Sequence, residues 1–398
     1  MEELGTVQRA LRNGPPDAMV DTVTRLLRQE CGALHVELRM ADYSVRALQT
    51  VHSPTTDPVT ISDSPQGRAF EAPTPLTLTD PVSQTVTSHI PVSVRGDRIG
   101  VLSVTLPPAS DAEALTPQLT QLCEVLGHEI TVAERDTDLY LRARRAARLT
   151  LAAEMQWQLL PSRTCVRREF VLGGHLEPAY AIRGDNFDWS ATADQLTLAL
   201  TNGMGEGIRA SLLTNLAVNA MRNARRAGLD LAEQATLTNE AVCEHYRGEE
   251  YVSMLLLRFE LDTGKVEVLD AGSPRAWLRR DGRAERLDFD AQPPMGRSTE
   301  VTYTTERFQL RPGDRLVMAS DGVYDSDVPS GERFGDRALA RSLAAHRLLP
   351  ATQVPRALLR ELSDYREGLA IDDDALVACV DWHGRGDEPG PHAPGQAE

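Results

Sequence analysis

The sequence predicts a mixed α/β (α+β) chain of two domains joined by a long helix, on three observations. The chain has 398 residues, 41% of them hydrophobic, which is enough for two cores and too much for one small module. Its apolar residues switch repeatedly between helical spacing and period-two alternation, so helices and strands are interleaved. Three stretches that read as strands lead into aspartates: Asp185 in Arg183-Gly184-Asp185-Asn186-Phe187-Asp188, Asp321 in Ser320-Asp321-Gly322, and Asp372 in Ile371-Asp372-Asp373-Asp374.

In chain order, Pro15-Pro16-Asp17 opens a helix that carries Val20, Val23, Leu26 and Leu27 at helical spacing. Leu34, Val36, Leu38 and Met40 then alternate as a strand. Ile90, Val92 and Val94 alternate, Arg95-Gly96-Asp97-Arg98 turns, and Leu102, Val104 and Leu106 alternate again, which predicts a hairpin with one buried face. With Ile90-Pro91-Val92 leading through that turn to Ile99-Gly100-Val101-Leu102, residues 15 to 136 resemble a GAF domain, and 1–136 is taken as a GAF-like sensor domain with an unknown ligand. From Leu119 to Leu160 the pattern is helical, with Leu151, Met155 and Leu159 at i, i+4 and i+8 and a stop at Pro161. Residues 137–162 are therefore expected to be a linker helix. Its arginines, Arg142, Arg144, Arg145 and Arg148, read as a solvated basic face, or as part of a signalling helix that pairs with a second copy in a homodimer.

Between Phe170 and Val380 the elements alternate in blocks. Strands are expected near 170–180 and 195–201, helices from Ile208 through Leu216 and near 229–247, and mostly strands up to Asp321. Val252 to Phe259 is a largely apolar run, Asp262-Thr263-Gly264-Lys265 turns it, and Val266 and Val268 begin the return strand. Two sheets flanked by helices suit this order. The second domain spans 163–384, and the Gly-, Pro- and charge-rich residues 385–398 read as a disordered tail.

The formal charge of −16 argues against a nucleic-acid binder, which needs clustered basic residues, and favours protein partners. The single lysine, Lys265, is followed by Val266, which removes the phosphate-loop and kinase lysines. Cys31, Cys123, Cys165, Cys243 and Cys379 are isolated, without zinc-ligand spacing, and read as reduced thiols. The histidines, such as His128, His175 and His245, also lack such spacing. Met1-Glu2-Glu3 begins no signal peptide, and no run approaches the roughly 20 apolar residues of a membrane span, so a cytoplasmic location without membrane contact is expected.

Aspartates at strand ends beside glycine suit a hard divalent cation, because Mg²⁺ and Mn²⁺ take oxygen ligands and glycine lets a backbone carbonyl come close. A fourth strand end carries an asparagine instead, in Thr201-Asn202-Gly203-Met204-Gly205-Glu206-Gly207. The chain therefore reads as a candidate two-metal hydrolase, in which cations about 3.5–4 Å apart activate a water near neutral pH.

Glu154-Met155-Gln156-Trp157-Gln158-Leu159-Leu160-Pro161, Gly184-Asp185, Asn202 to Gly207, Asp270-Ala271-Gly272, Pro294-Met295-Gly296, Pro312-Gly313-Asp314, Ser320-Asp321-Gly322 and Asp372-Asp373 fall in one order. Over residues 150 to 382 this ordered set resembles the PPM-type, metal-dependent serine/threonine phosphatases, in their bacterial SpoIIE-like branch. The resemblance implies a four-layer α-β-β-α sandwich holding two Mn²⁺ or Mg²⁺ ions. It further implies hydrolysis of phosphoserine or phosphothreonine on a regulatory phoshoprotein, such as an anti-sigma-factor antagonist. Carried over by position, Asp185, Asn202, Asp321 and Asp372 are the catalytic metal ligands, Gly203 offers its backbone carbonyl, and Asp188 and Asp373 accept from metal-bound waters.

Asn202 departs from the family, which has a bridging aspartate there. A neutral amide oxygen bridges two cations poorly, so weaker metal binding is expected. Glu206 and Ser273 are lesser departures, at positions where His or Asn, and His, are common. Three readings stay open: an active phosphatase with a shifted metal requirement, one whose activity depends on slow deamidation of the Asn202-Gly203 pair, and a pseudophosphatase that binds a phosphoprotein and signals through the linker. Gly184-Asp185-Asn186-Phe187 also shares a fragment with the diguanylate cyclase turn, but lacks its acidic fourth residue and leaves Asp321 and Asp372 without a place.

Overall fold

A computed structural model describes residues 2–51, 58–72, 74–108, 110–145, 149–178, 182–326, 333–366 and 373–385. The chain divides into two compact units, Met1–Leu149 and Thr150–Glu398.

The first unit runs α1 (Glu2–Asn13), α2 (Met19–Cys31), β1 (His35–Ala41), β2 (Ala47–Thr50), β3 (Val59–Thr60), α3 (Pro65–Glu71), β4 (Leu76–Thr79), β5 (Val86–Val94), β6 (Asp97–Leu106), α4 (Ala112–Ala133) and α5 (Leu139–Ala143). Its strands form one antiparallel sheet in the order β3-β2-β1-β6-β5-β4. The hairpin read from the sequence is β5–β6, turned by Arg95 and Gly96, both with positive φ. Ile90, Val92, Leu102 and Val104 form one core with Val20, Val23 and Leu27 of α2 and Leu119, Leu122 and Leu126 of α4.

The continuous helix expected over 119–160 is corrected by the structure. α4 ends at Ala133, the amides of Asp136 and Thr137 both bond back to the Ala133 carbonyl, and α5 begins separately at Leu139. The cause is burial: Tyr140 and Ala143 of α5 belong to the first unit's core, and the Tyr140 hydroxyl donates to the Pro16 carbonyl at 2.8 Å. Arg144 is engaged within the same unit, stacked over the Tyr43 ring at 4.9 Å.

The second unit begins with α6 (Leu151–Leu159), capped by the Thr150 hydroxyl on the Ala153 amide. There follow β7 (Thr164–Val166), β8 (Phe170–Glu177), β9 (Asn186–Ala191), β10 (Gln195–Gly203), α7 (Gly207–Arg226), α8 (Leu231–Tyr246), β11 (Val252–Glu260), β12 (Lys265–Ala271), β13 (Arg275–Arg280), β14 (Arg283–Leu287), β15 (Glu306–Gln309), β16 (Arg315–Ala319), α9 (Asp321–Tyr324), a π-helical turn (Phe334–Ala338), α10 (Leu339–Ala345), α11 (Val354–Tyr365) and β17 (Ala375–Trp382).

Two antiparallel sheets result, β15-β12-β11-β10-β9 and β14-β13-β16-β17-β8-β7. Strand alternation divides the apolar residues between cores. Leu196, Leu198, Leu200, Leu255 and Leu257 of one sheet share a cluster with Leu316, Met318, Leu376, Ala378 and Val380 of the other. The intervening Ala199, Met254 and Leu256 pack with Leu213, Ala217 and Leu231 of α7 and α8. Val317, Ala319, Val377 and Cys379 pack with Leu339, Leu343, Leu358 and Leu362 of α10 and α11. All five cysteines are free. No described helix is long and apolar enough to cross a membrane.

Candidate metal centre

The same alternation decides which aspartates meet. Phe187 faces the inter-sheet core, so Asp185, two residues earlier, faces that way; Leu200 does so on β10, as does Asn202; Leu376 does so on β17, as does Asp374. Asp321 begins α9 just past β16. Ser320 ties that end to β17, its amide donating to the Leu376 carbonyl and its Oγ accepting from the Leu376 amide, both at 3.0 Å.

Two close backbone approaches bring the loops together. The Gly203 amide donates to the Gly184 carbonyl at 3.0 Å, and the Thr214 hydroxyl of α7 donates to the same oxygen at 2.9 Å. A Cβ on Gly184 would collide with the Gly203 carbonyl oxygen, and one on Gly322 with the Asp374 carbonyl oxygen. Glycine is needed at both positions for lack of space.

Asp185 is 1% exposed, and neither of its carboxylate oxygens has a donor in hydrogen-bonding geometry. Burial, and after it the negative charge of Asp374, hold its carboxyl well above the usual range, with the Ser320 hydroxyl offsetting part of the effect. Asp321 is also raised, first by burial and then by Asp373. Its Oδ1 accepts from Asn202 Nδ2 at 2.5 Å and from the Gly322 amide at 3.0 Å. Asp373 lies 3.6 Å from Arg183 Nε, and Asp374, fully buried, accepts from the Arg183 amide at 3.1 Å.

Negative charges packed together, one of them without a donor in hydrogen-bonding geometry, make a site that a hard cation would stabilise. Asp185 and Asp321 fit as anionic oxygen donors, and Gly203 lies where its backbone meets Gly184. Asp372 lies outside the described residues. Among those described, no group of three or more His, Cys, Asp or Glu side chains is arranged to hold a metal ion.

Asp188 is engaged otherwise than expected. Three residues beyond Asp185, it points to the opposite face of the sheet, where Oδ1 accepts from Arg222 at 2.7 Å and Oδ2 from Arg225 at 2.7 Å, both on α7. It joins sheet to helix instead of accepting from metal-bound water. Period-two counting from Phe187 could have shown this. Sequence reasoning also missed the part played by Gln156 of α6, whose Nε2 donates to the Asp185 carbonyl at 3.1 Å and to Asp374 Oδ2 at 2.7 Å. Gln156 lies within the Glu154–Pro161 motif, but a buried amide on a helix carries no signal for what it bonds.

Residues 192–383 match the family model described as Stage II sporulation protein E (SpoIIE). Over those residues the C-terminal unit is similar to that family. Asn202 and Asp321 lie within the SpoIIE-like span, and Asp185 lies just before it. Stage II sporulation protein E of Bacillus subtilis (strain 168) is 23% identical over 200 residues, which cover 50% of this chain and 24% of that protein. The phosphoserine phosphatase RsbU of the same organism is 21% identical over 255 residues, 64% of this chain and 76% of RsbU. The chain thus spans about a quarter of the first relative and three quarters of the second. Among solved structures, the PP2C phosphatase domain of SpoIIE from Bacillus subtilis with a fragment of its regulatory domain has a TM-score of 0.48 at 21% identity, covering 55% of this chain and 66% of that one. The catalytic domain of the serine/threonine phosphatase PstP, solved with two manganese ions, has a TM-score of 0.41 at 19% identity, covering 54% and 99%. Of these relatives, RsbU is named as a phosphoserine phosphatase.

Proposed function

We propose that the SpoIIE-like unit hydrolyses phosphoserine or phosphothreonine on a regulatory phosphoprotein, such as an anti-sigma-factor antagonist, in a Mn²⁺- or Mg²⁺-dependent reaction in the cytoplasm. The carrying observation is Asp185, a fully buried carboxylate without a donor, beside Asp321, Asp373 and Asp374. Bound cations supply Lewis-acid polarisation of phosphoryl oxygens and activation of water. Asp185 and Asp321 would hold them, with Asn202, Gly203 and Asp372 in the places that the resemblance gives to ligands, while Asp373 keeps Arg183 at the rim. On this reading the unit is an α-β-β-α sandwich, and a GAF-like N-terminal unit controls it through residues 137–162.

Gln156 supports that control. It sits on the first helix of the unit and bonds directly to the chain at Asp185 and to Asp374, so a shift of α6 would change how these groups are held.

The second reading, a pseudophosphatase that only binds the phosphoprotein, is favoured by the Asn202–Asp321 hydrogen bond, which ties up a ligand oxygen. Hydrolysis of p-nitrophenyl phosphate and a phosphoserine peptide with Mn²⁺ separates the two. Turnover by the wild-type chain that is lost in Asp321→Ala supports the enzyme. Turnover that arises only in Asn202→Asp supports the binding role.

A further inference from the structure

Asn202 is more than an absent charge, because its carboxamide makes a specific bond. Nδ2 donates to Asp321 Oδ1, the same oxygen that accepts from the Gly322 amide. Those two donors occupy both lone pairs of Oδ1 and leave Oδ2 for a cation. The Asn202 NH₂ group, carrying the positive end of the amide dipole, thus lies against Asp321, where a second cation would need an anionic oxygen. Its remaining ligand atom is a neutral amide oxygen. Two divalent cations about 3.5–4 Å apart repel strongly and need an anion between them, which a neutral amide does not provide.

Asp185 supplies the independent sign of a ligand. It is 1% exposed, both its oxygens are unpartnered, and its face of the sheet is that of Asn202. It offers two anionic oxygens to one ion without breaking an existing hydrogen bond. Asp374, by contrast, is already held by Gln156 and the Arg183 amide.

We propose that this centre takes a single divalent cation, on Asp185 and Asp321 Oδ2, and that the Asn202 NH₂ group stands in for the second positive charge. The inference rests on the metal-dependent reading above, and goes beyond it in stating the number of ions and the residue that sets it.

The test is Mn²⁺ stoichiometry on the full chain, by equilibrium dialysis and by electron paramagnetic resonance, neither of which needs turnover. The wild-type chain should bind one Mn²⁺ and give the six-line spectrum of an isolated ion. Asn202→Asp should bind a second and give the spectrum of a spin-coupled pair. Asn202→Ala, which removes the stand-in donor without adding an anion, should keep one, and it guards against misfolding of the Asp variant. Two ions on the wild-type chain would overturn this proposal and leave the metal-dependent reading intact. One ion on a folded Asn202→Asp chain would likewise overturn the role given to Asn202 alone. No Mn²⁺ on any of the three would overturn both.

Discussion

At the scale of single residues, the centre depends on where each polar atom finds its partner. Gln156 Nε2 is one of the donors to a fully buried Asp374 carboxylate. Gln156→Ala leaves that carboxylate underserved, at a cost of about 1–3 kcal/mol. The expected result is a lower urea midpoint together with weaker Mn²⁺ binding, because the chain at Asp185 loses the same tether. An unchanged Mn²⁺ affinity would limit Gln156 to a packing role. Asp188 gives the opposite pattern. Asp188→Ala abandons Arg222 and Arg225 on a largely buried face, and breaking such a pair costs about 3–5 kcal/mol. Unfolding should shift strongly while Mn²⁺ stoichiometry stays that of the wild type. If Mn²⁺ were lost from the folded Asp188→Ala protein, the face assignment would be wrong.

At the scale of elements, the strand ends matter more than the strands. Gly184 and Gly203 pass so closely that any side chain on Gly184 drives β9 away from β10 at the point where Asp185 and Asn202 sit. Gly184→Ala should retain most secondary structure by circular dichroism yet lose Mn²⁺ binding; retained binding would show that the loops are not held by that approach. Much at this scale was legible in the sequence. The β5–β6 hairpin, the run from Val252 to Phe259 with its turn at Thr263-Gly264, and helices from Ile208 through Leu216 and near 229–247, seen as α7 and α8, all follow from spacing. The break after Ala133 was not legible, because Tyr140 reads equally well on a continuing helix and its burial in the first unit is a tertiary fact. Nor was the hold of Gln156, which needs residues 185 and 374 to be neighbours.

At the scale of the whole molecule, buried acids make stability depend on pH. Asp270, on β12, is pushed up to about 6, mainly by burial, although it accepts from the Gly272 amide at 2.9 Å. A carboxyl whose folded value exceeds its unfolded value binds the proton more tightly when folded. Its favourable contribution is therefore complete below about pH 4 and is lost as pH rises through about 6. Asp270→Asn, which keeps the acceptor and removes the charge, should flatten the fall in Tm between those limits relative to wild type. Parallel Tm curves for the two proteins would rule Asp270 out as the group responsible.

The pairing of β8 with β17 also fixes when the centre can come into being. Phe170 meets Trp382 and Glu177 meets Ala375 across that ladder, so one edge of β8 waits for a partner made some two hundred residues later. A chain still on the ribosome can carry Asp185 and Asn202 long before it has Asp374. Until β17 emerges, that edge of β8 is open in a slow, non-local topology, exposed to the wrong partner. The acid centre is thus assembled only once β17 has been made, and a product cut short before Ala375 would hold the first ligands without ever closing the site around them.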